Sequence, residues 1–262
     1  MNDIHFHAAR AALRDARRSA RCLEPLPLEW KPVELACAYR LQRAVAADLG
    51  AIRGWKVSGL TAEQQRAMGV EAPLAAPLLG PWLHASDATL QASGFVRPRL
   101  ECEFAFALAA DLPSRARAYT RAEVEAAINA LRLGVEIVDS RLPADSGVLA
   151  ELADDLNNGA YVAGAAIESW RDVDYAKVRI GLRHQVDRGD EMLAEGDGRA
   201  ILDGDPVGAL VLLANLPALH PRGLRAGDIV TTGSCTGAVA LPGAGAYQAD
   251  FGALGTVAFT CT

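Results

Sequence analysis

Between Arg99 and Leu108 the chain reads Arg-Leu-Glu-Cys-Glu-Phe-Ala-Phe-Ala-Leu, an alternation of period two that an extended strand sorts onto two faces. On that strand Glu101, Glu103, Ala105 and Ala107 share one face, and Cys102, Phe104, Phe106 and Leu108 take the other. A third acid, Glu136, stands alone among apolar residues in Leu133-Gly-Val-Glu-Ile-Val-Asp-Ser-Arg141. Like charges on neighbouring positions raise one another's pKa unless a cation or hydrogen-bond donors compensate them. The pattern therefore admits two readings: a site for a hard divalent cation, or a solvated strand face of the kind most strand glutamates occupy.

Composition excludes several classes of function. At 51% hydrophobic and 22% charged residues the chain is an ordinary globular protein with enough apolar residues for a sizeable core. Its formal net charge of −6 comes without a basic block, so nucleic acid is not an expected partner. The five cysteines are scattered, with no C-x-x-C pair, which predicts neither a disulfide framework nor a zinc ribbon and fits a reducing cytoplasm. The longest apolar run, Val207 to Leu219, is broken by Asn215 and Pro217 and is too short to span a bilayer, so no membrane association is expected. The Arg-rich N-terminus superficially resembles a transit peptide. Asp3, Asp15 and the lack of serine richness favour a plain surface helix instead.

Helical periodicity covers Ala8–Cys22 and Val33–Leu49, separated by Pro25-Leu-Pro27 and closed by Gly50. A strand is predicted at Ile52–Val57 and a short helix capped by Thr61 through Met68; Pro73–Pro81 reads as a loop. Strand follows at Val96–Leu108, a capped helix from Thr120 to about Arg132, and strand again at Val135–Val138. From Ala160 onward short Val/Ala/Ile-rich runs alternate with turns such as Asp187-Arg-Gly-Asp190 and Pro242-Gly243, around one helix at about Pro206–Leu216. The pattern predicts a smaller N-terminal α/β part, residues 1–80, and a β-rich part, residues 81–262, that carries the three acids.

His5, His7, His84, His184 and His220 show neither metal-ligand spacing nor a cysteine companion, which leaves oxygen ligands and so Mg²⁺, Mn²⁺ or Ca²⁺. Lys56 is one of only three lysines, after Ala51-Ile52 and Trp55 and before Val57. It reads equally as an ammonium held over a site or as a strand-edge lysine that resists aggregation. Neither phosphate-binding glycine pattern occurs, so no nucleotide cofactor is expected.

Taken together, Trp55-Lys-Val-Ser-Gly-Leu-Thr61, Met68-Gly-Val70, Pro98-Arg-Leu-Glu-Cys-Glu103, Glu136-Ile-Val-Asp-Ser-Arg141 and Gly227-Asp-Ile-Val-Thr-Thr-Gly-Ser234 resemble the fumarylacetoacetate hydrolase superfamily. They are most similar to its 2-keto-4-pentenoate hydratase and 4-oxalocrotonate decarboxylase branch. The resemblance runs from the middle fifties to the C-terminus with the motifs in family order. It implies an α+β fold, a β-rich mixed roll or barrel-like sandwich with a small helical N-terminal part. It implies that Glu101, Glu103 and Glu136 bind Mg²⁺ or Mn²⁺, and that Lys56 lies near the substrate, where it donates to a carboxylate or stabilises an enolate. A homo-oligomer is implied by the same analogy.

The implied activity is a metal-dependent hydratase acting on a 2-hydroxy-2,4-dienoate, a small 2-oxo acid in its enol form. A 4-oxalocrotonate-type decarboxylase, an acylpyruvate C–C hydrolase and a non-catalytic structural or regulatory relative are the alternatives. Asp139 reads either as an acid orienting Lys56 or a water, or as a partner of Arg141. Ser234 is a candidate donor to the substrate carboxylate, or a turn serine. Two stretches depart from the family pattern. Pro73-Leu74-Ala75-Ala76 stands where Pro-Asp-Phe-Gly is common, which makes Leu74 part of an expected apolar distal pocket. Ala153-Asp-Asp-Leu-Asn-Asn-Gly159 replaces an Ala-Asp-Asn-Ala-Ser type of run.

Overall fold

The computed structural model describes residues 1–186, 189–217 and 222–262, with the side chain of residue 186 left aside. His220, the end of the apolar run at 218–219, and residues 187–188 of the expected turn lie outside the described residues. Two helices open the chain, α1 (Asp3–Ser19) and α2 (Leu35–Leu49). The first begins five residues before the expected start because Asn2 caps it, its side chain accepting from the His5 N–H. Phe6, Ala9 and Leu13 of α1 pack with Leu41, Val45 and Leu49 of α2 in one small core.

Strand β1 (Ile52–Ser58) and helix α3 (Ala62–Met68) follow as expected, α3 with a capping box between Thr61 and Gln64. The expected loop at Pro73–Pro81 is instead strand β2 (Leu74–Leu79), paired antiparallel with β1. The run shows no alternation because every residue in it is buried. Pro77 is tolerated because β2 is the edge of its sheet and needs no second ladder.

Strands β3 (Leu83–Ala85) and β4 (Ala88–Leu90) are short, and β5 (Arg99–Leu108) is the glutamate-bearing strand. Helix α4 (Arg121–Ala127) carries the Thr120–Glu123 capping box but stops well before Arg132. Residues expected to finish it form β6 (Ile128–Val138), which pairs with β5 from Leu108 opposite Ile128 to Arg99 opposite Val138. A ladder of that length overrides the modest helical preference of Ala130, Leu131 and Leu133. Helix α5 (Val148–Ala153) was not anticipated from the sequence. Then come β7 (Asn158–Ile167), β8 (Arg179–Val186), β9 (Gly189–Asp197), α6 (Pro206–Ala214), β10 (Ile229–Ser234), β11 (Val239–Ala240), β12 (Gly245–Asp250) and β13 (Thr256–Cys261).

The strands form a mixed eight-stranded sheet, ordered β2-β1-β10-β5-β6-β7-β3 with β11 beside β5, and a five-stranded sheet ordered β4-β13-β12-β8-β9. The β-rich α+β architecture expected from the resemblance is present. The division expected near residue 80 runs through the larger sheet, since β1 and β2 sit beside β10. Phe104 and Phe106 of β5 join Leu182, Tyr247, Val257 and Phe259 of the smaller sheet in the main core. The ring of Phe104 meets Tyr175 edge-on at 5.1 Å. That packing fixes the rotation of β5 and commits Glu101 and Glu103 to its opposite face.

Candidate active site

Strand register brings the acids together. Glu101 on β5 lies directly opposite Glu136 on β6, and Glu103 lies opposite Ser234 on β10. One carboxylate oxygen from each of Glu101, Glu103 and Glu136 falls within 4.8 Å of the others. Gly134 opposite Glu103 makes room on this face, because a Cβ there would stand 1.9 Å from the Tyr161 hydroxyl.

Lys56 enters from β1. Its Nζ donates to Glu136 Oε1 at 2.6 Å and to the Leu156 carbonyl at 3.2 Å. Asn158 Nδ2 donates to the same Glu136 oxygen at 2.9 Å. Burial works against the charge on Lys56, but Glu136, Glu101 and Glu103 together hold its pKa above the ordinary lysine value. The strand-edge reading of Lys56 fails, since the side chain is buried between neighbouring elements.

Burial and the nearby Glu136 push Glu101 up to about 6, against the pull of Lys56 and Arg99. Burial, then Glu136 and Glu101, drive Glu103 well above the usual carboxylate range. Glu103 Oε2 and Glu136 Oε2 are buried without a hydrogen-bond partner among the described residues. Three acids against one ammonium, with two orphaned oxygens and no nitrogen or sulfur donor in the cluster, form an oxygen-only set that fits a hard divalent cation. Glu101, Glu103 and Glu136 are the residues that would hold it.

The cluster opens into a cleft of about 290 Å³. Its polar lining includes Gln64 and Ser234, whose buried Oγ has no partner among the described residues. The apolar part comes from Val57, Leu60, Ala200 and Ile201. Gly233 keeps φ at 99° and lets β10 turn there with Leu60 and Ile201 packed close by.

Two candidates do not join this site. Asp139 turns away: its carboxylate accepts from the backbone N–H of Val96 at 3.0 Å and of Arg97 at 2.6 Å, and so fastens the approach to β5. Its carboxylate forms no ion pair with Arg141 either, whose guanidinium binds the Asp154 carboxylate at 3.0 Å and reaches Asp139 only at its backbone carbonyl. Leu74 packs with Ala38, Tyr39, Ala76 and Leu152 in a separate core, and neither it nor Ala75 or Ala76 lines the cleft. The shift is a consequence of β2, which buries the segment that a loop would have left over the site.

Sequence reasoning missed Asn158, the Leu156 carbonyl, Leu60 and Ile201. Asn158 lies in the run singled out as departing from the family pattern, which was a signal without a chemical reading. Leu60 lies within the Trp55–Thr61 motif but, like Ile201, carried no chemical reading, because an apolar residue near a strand end looks like any core residue.

No family model matches the chain. Among curated proteins it is 30% identical over 269 residues to a 2-keto-4-pentenoate hydratase of Burkholderia vietnamiensis, all of each chain being covered. It is 29% identical to a 2-keto-4-pentenoate hydratase of Paraburkholderia phymatum, over 98% of this chain and 97% of that one. Among solved structures, the 4-oxalocrotonate decarboxylase of Pseudomonas putida G7, complexed with magnesium and adipate, superposes with a TM-score of 0.87 at 22% identity. That match covers 100% of this chain and 99% of the other, and it shows the shared fold.

Proposed function

The chain belongs to the 2-keto-4-pentenoate hydratase family, a branch of the fumarylacetoacetate hydrolase superfamily, and from that premise we propose that it is a hydro-lyase adding water to a 2-hydroxy-2,4-dienoate in the breakdown of aromatic compounds. The observation that carries the reading is the convergence of Glu101, Glu103 and Glu136 with Lys56 in one cleft. Glu101, Glu103 and Glu136 would hold a divalent cation, Mg²⁺ or Mn²⁺, which would supply Lewis-acid stabilisation of negative charge on the substrate's 2-oxygen. Everything else falls to the chain's own groups.

The reaction needs the 2-hydroxyl proton to leave and C5 to gain one, giving a 2-oxo-3-enoate. Water then adds at C4 and a proton at C3, so that the product is the substrate plus one water. Charge gathers on the 2-oxygen during the first step, and the Lys56 ammonium, kept protonated by its acidic neighbours, faces that charge with a fixed donor. Ser234, whose hydroxyl has no partner among the described residues, is the donor we assign to the substrate carboxylate. Leu60, Val57 and Ile201 form an apolar wall for the C4–C5 end and keep bulk water from the dienolate.

The same wall favours hydration over decarboxylation of a diacid. Lys56 is the only cation among the described lining residues, and it is already engaged by Glu136. A second substrate carboxylate would lose its water there without gaining a partner. The free state of all five cysteines supports a cytoplasmic setting, and the family resemblance supports a homo-oligomer. No helix among the described residues is long and apolar enough to cross a membrane. The test is loss of the dienol absorbance of 2-hydroxypenta-2,4-dienoate: decay with Mg²⁺ that stops on chelation supports the reading, and an unchanged spectrum in both conditions overturns it.

A further inference from the structure

Lys56 and Glu136 are both held by one short segment of backbone that lies outside the cleft. Asp155, Leu156 and Asn157 adopt φ values of 54°, 49° and 60° in succession. The left-handed region disfavours any residue with a Cβ, and three in a row persist only where the surroundings over-determine them. Two buried arginines do so here. Arg141 grips the front of the segment, donating from Nε to Asp154 Oδ1 at 3.1 Å and from Nη2 to the Asp154 carbonyl at 2.9 Å. It also reaches the back, with Nη1 on the Asn158 carbonyl at 2.8 Å. Arg17, from α1, donates to the Asn158 carbonyl and, at 2.7 Å, to the Gly159 carbonyl.

The clamped segment presents two groups to the site: the Leu156 carbonyl to Lys56 Nζ and the Asn158 amide to Glu136 Oε1. Glu136 thereby receives two donors on one oxygen and none, among the described residues, on the other. A neutral amide suits this position, because it fixes the carboxylate without adding a second positive charge that would oppose a cation.

We propose that Asn158 is a positioning residue of the carboxylate cluster, held in place by Arg17 and Arg141, which ties up Glu136 Oε1 and leaves Oε2 as the oxygen offered to a divalent cation. The inference rests on the metal reading of Glu101, Glu103 and Glu136, and not on the reaction assigned to the enzyme. It gives a purpose to the departure at 153–159 and to the buried arginine that α1 contributes from a distant part of the chain.

The test uses the full chain, stripped of metal, with Mn²⁺ affinity read from the spin-resonance signal of free Mn²⁺ and folding followed by circular dichroism. Asn158→Ala weakens Mn²⁺ binding by about tenfold or more, the usual size for losing a partner of a metal ligand. Arg17→Met weakens it less, and the double variant binds no worse than Asn158→Ala alone, since Arg17 acts through Asn158. Asn158→Ser, which keeps a donor on a shorter arm, gives an intermediate loss and decides the matter if the alanine variant does not fold. An Mn²⁺ affinity within about twofold of wild type in a folded Asn158 variant, whatever its melting temperature, makes the residue merely structural and overturns the proposal. Wild-type Mn²⁺ binding without turnover of any dienoate faults the proposed reaction alone, whereas a wild type that takes up no Mn²⁺ overturns both.

Discussion

Lys56 Nζ stands 2.6 Å from Glu136 Oε1, with the side chains of both residues buried. The lysine is thus the internal counter-ion of the acid cluster as well as the donor facing the cleft. Replacing it leaves a buried carboxylate without its ammonium and, on the proposed mechanism, removes an electrostatic donor from the reaction.

Lys56→Met lowers kcat/KM by about a hundredfold or more, the size expected for one lost donor at a developing negative charge. It also destabilises the metal-free protein by about 3 kcal/mol or more, since breaking one side of a buried pair strands the other. Steady-state kinetics and chemical denaturation check the two effects separately. Near-normal turnover would return Lys56 to a structural role.

Glu103→Gln keeps the shape of the side chain and removes one charge from the oxygen set. Because Glu103 is buried beside Glu101 and Glu136 with Oε2 unpartnered, the variant folds as well as wild type or better, while calorimetry shows Mg²⁺ and Mn²⁺ binding lost. Equal metal affinity in the two proteins would contradict the site.

Stability of the metal-free protein depends on pH in a direction set by burial. Glu101 is pushed up to about 6, Asp155, despite Arg17 and Arg141, to about 7, and Glu103 well above its usual value. Carboxyls with raised pKa bind protons more tightly in the folded chain than in the unfolded one. Their contribution is complete below the unfolded values, near 4, and is lost as pH rises through the folded ones. Melting temperature of the metal-free protein therefore falls from about pH 5 to about pH 8, and Mn²⁺ reverses the fall by compensating the ionised cluster. Asp155→Asn, outside the cluster, flattens the slope in the metal-free protein.

Substrate choice follows from the lining of the cleft. With Leu60, Val57 and Ile201 at its apolar end and no unengaged cation among the described lining residues, dienoates with a hydrogen or alkyl tail have the higher kcat/KM. A 2-hydroxymuconate-type diacid is turned over more slowly by about tenfold or more, as expected when a carboxylate is desolvated without a partner. Faster turnover of the diacid would overturn this ordering.

Much of the site was legible because its logic is local. The alternation at 99–108 orients Glu101 and Glu103, and the capping residues Thr61 and Thr120 mark the helix starts found at α3 and α4. What was not legible depends on partners distant in the chain. Leu74-Ala-Ala-Pro-Leu-Leu79 is a strand because β1 pairs with it, and Ile128–Leu133 is a strand because β5 continues alongside. Asp139 was drawn to the site by its nearness to Glu136, yet the peptide at 96–97 claims its carboxylate. Asn158 and Arg17 meet only in the folded chain, since 141 residues separate them. Local patterns hold no signal for a clamp of that kind.

The measurement closest to the central claim is product analysis of 2-hydroxypenta-2,4-dienoate, turned over with Mg²⁺ in ¹⁸O-labelled water, by NMR and mass spectrometry. Hydration at the site of Glu101, Glu103, Glu136 and Lys56 gives a 4-hydroxy-2-oxo acid with label at C4, formed by wild type and not by Glu103→Gln. Recovery of unhydrated acid, or a preference for a 4-oxalocrotonate-type diacid with release of CO₂, would contradict it.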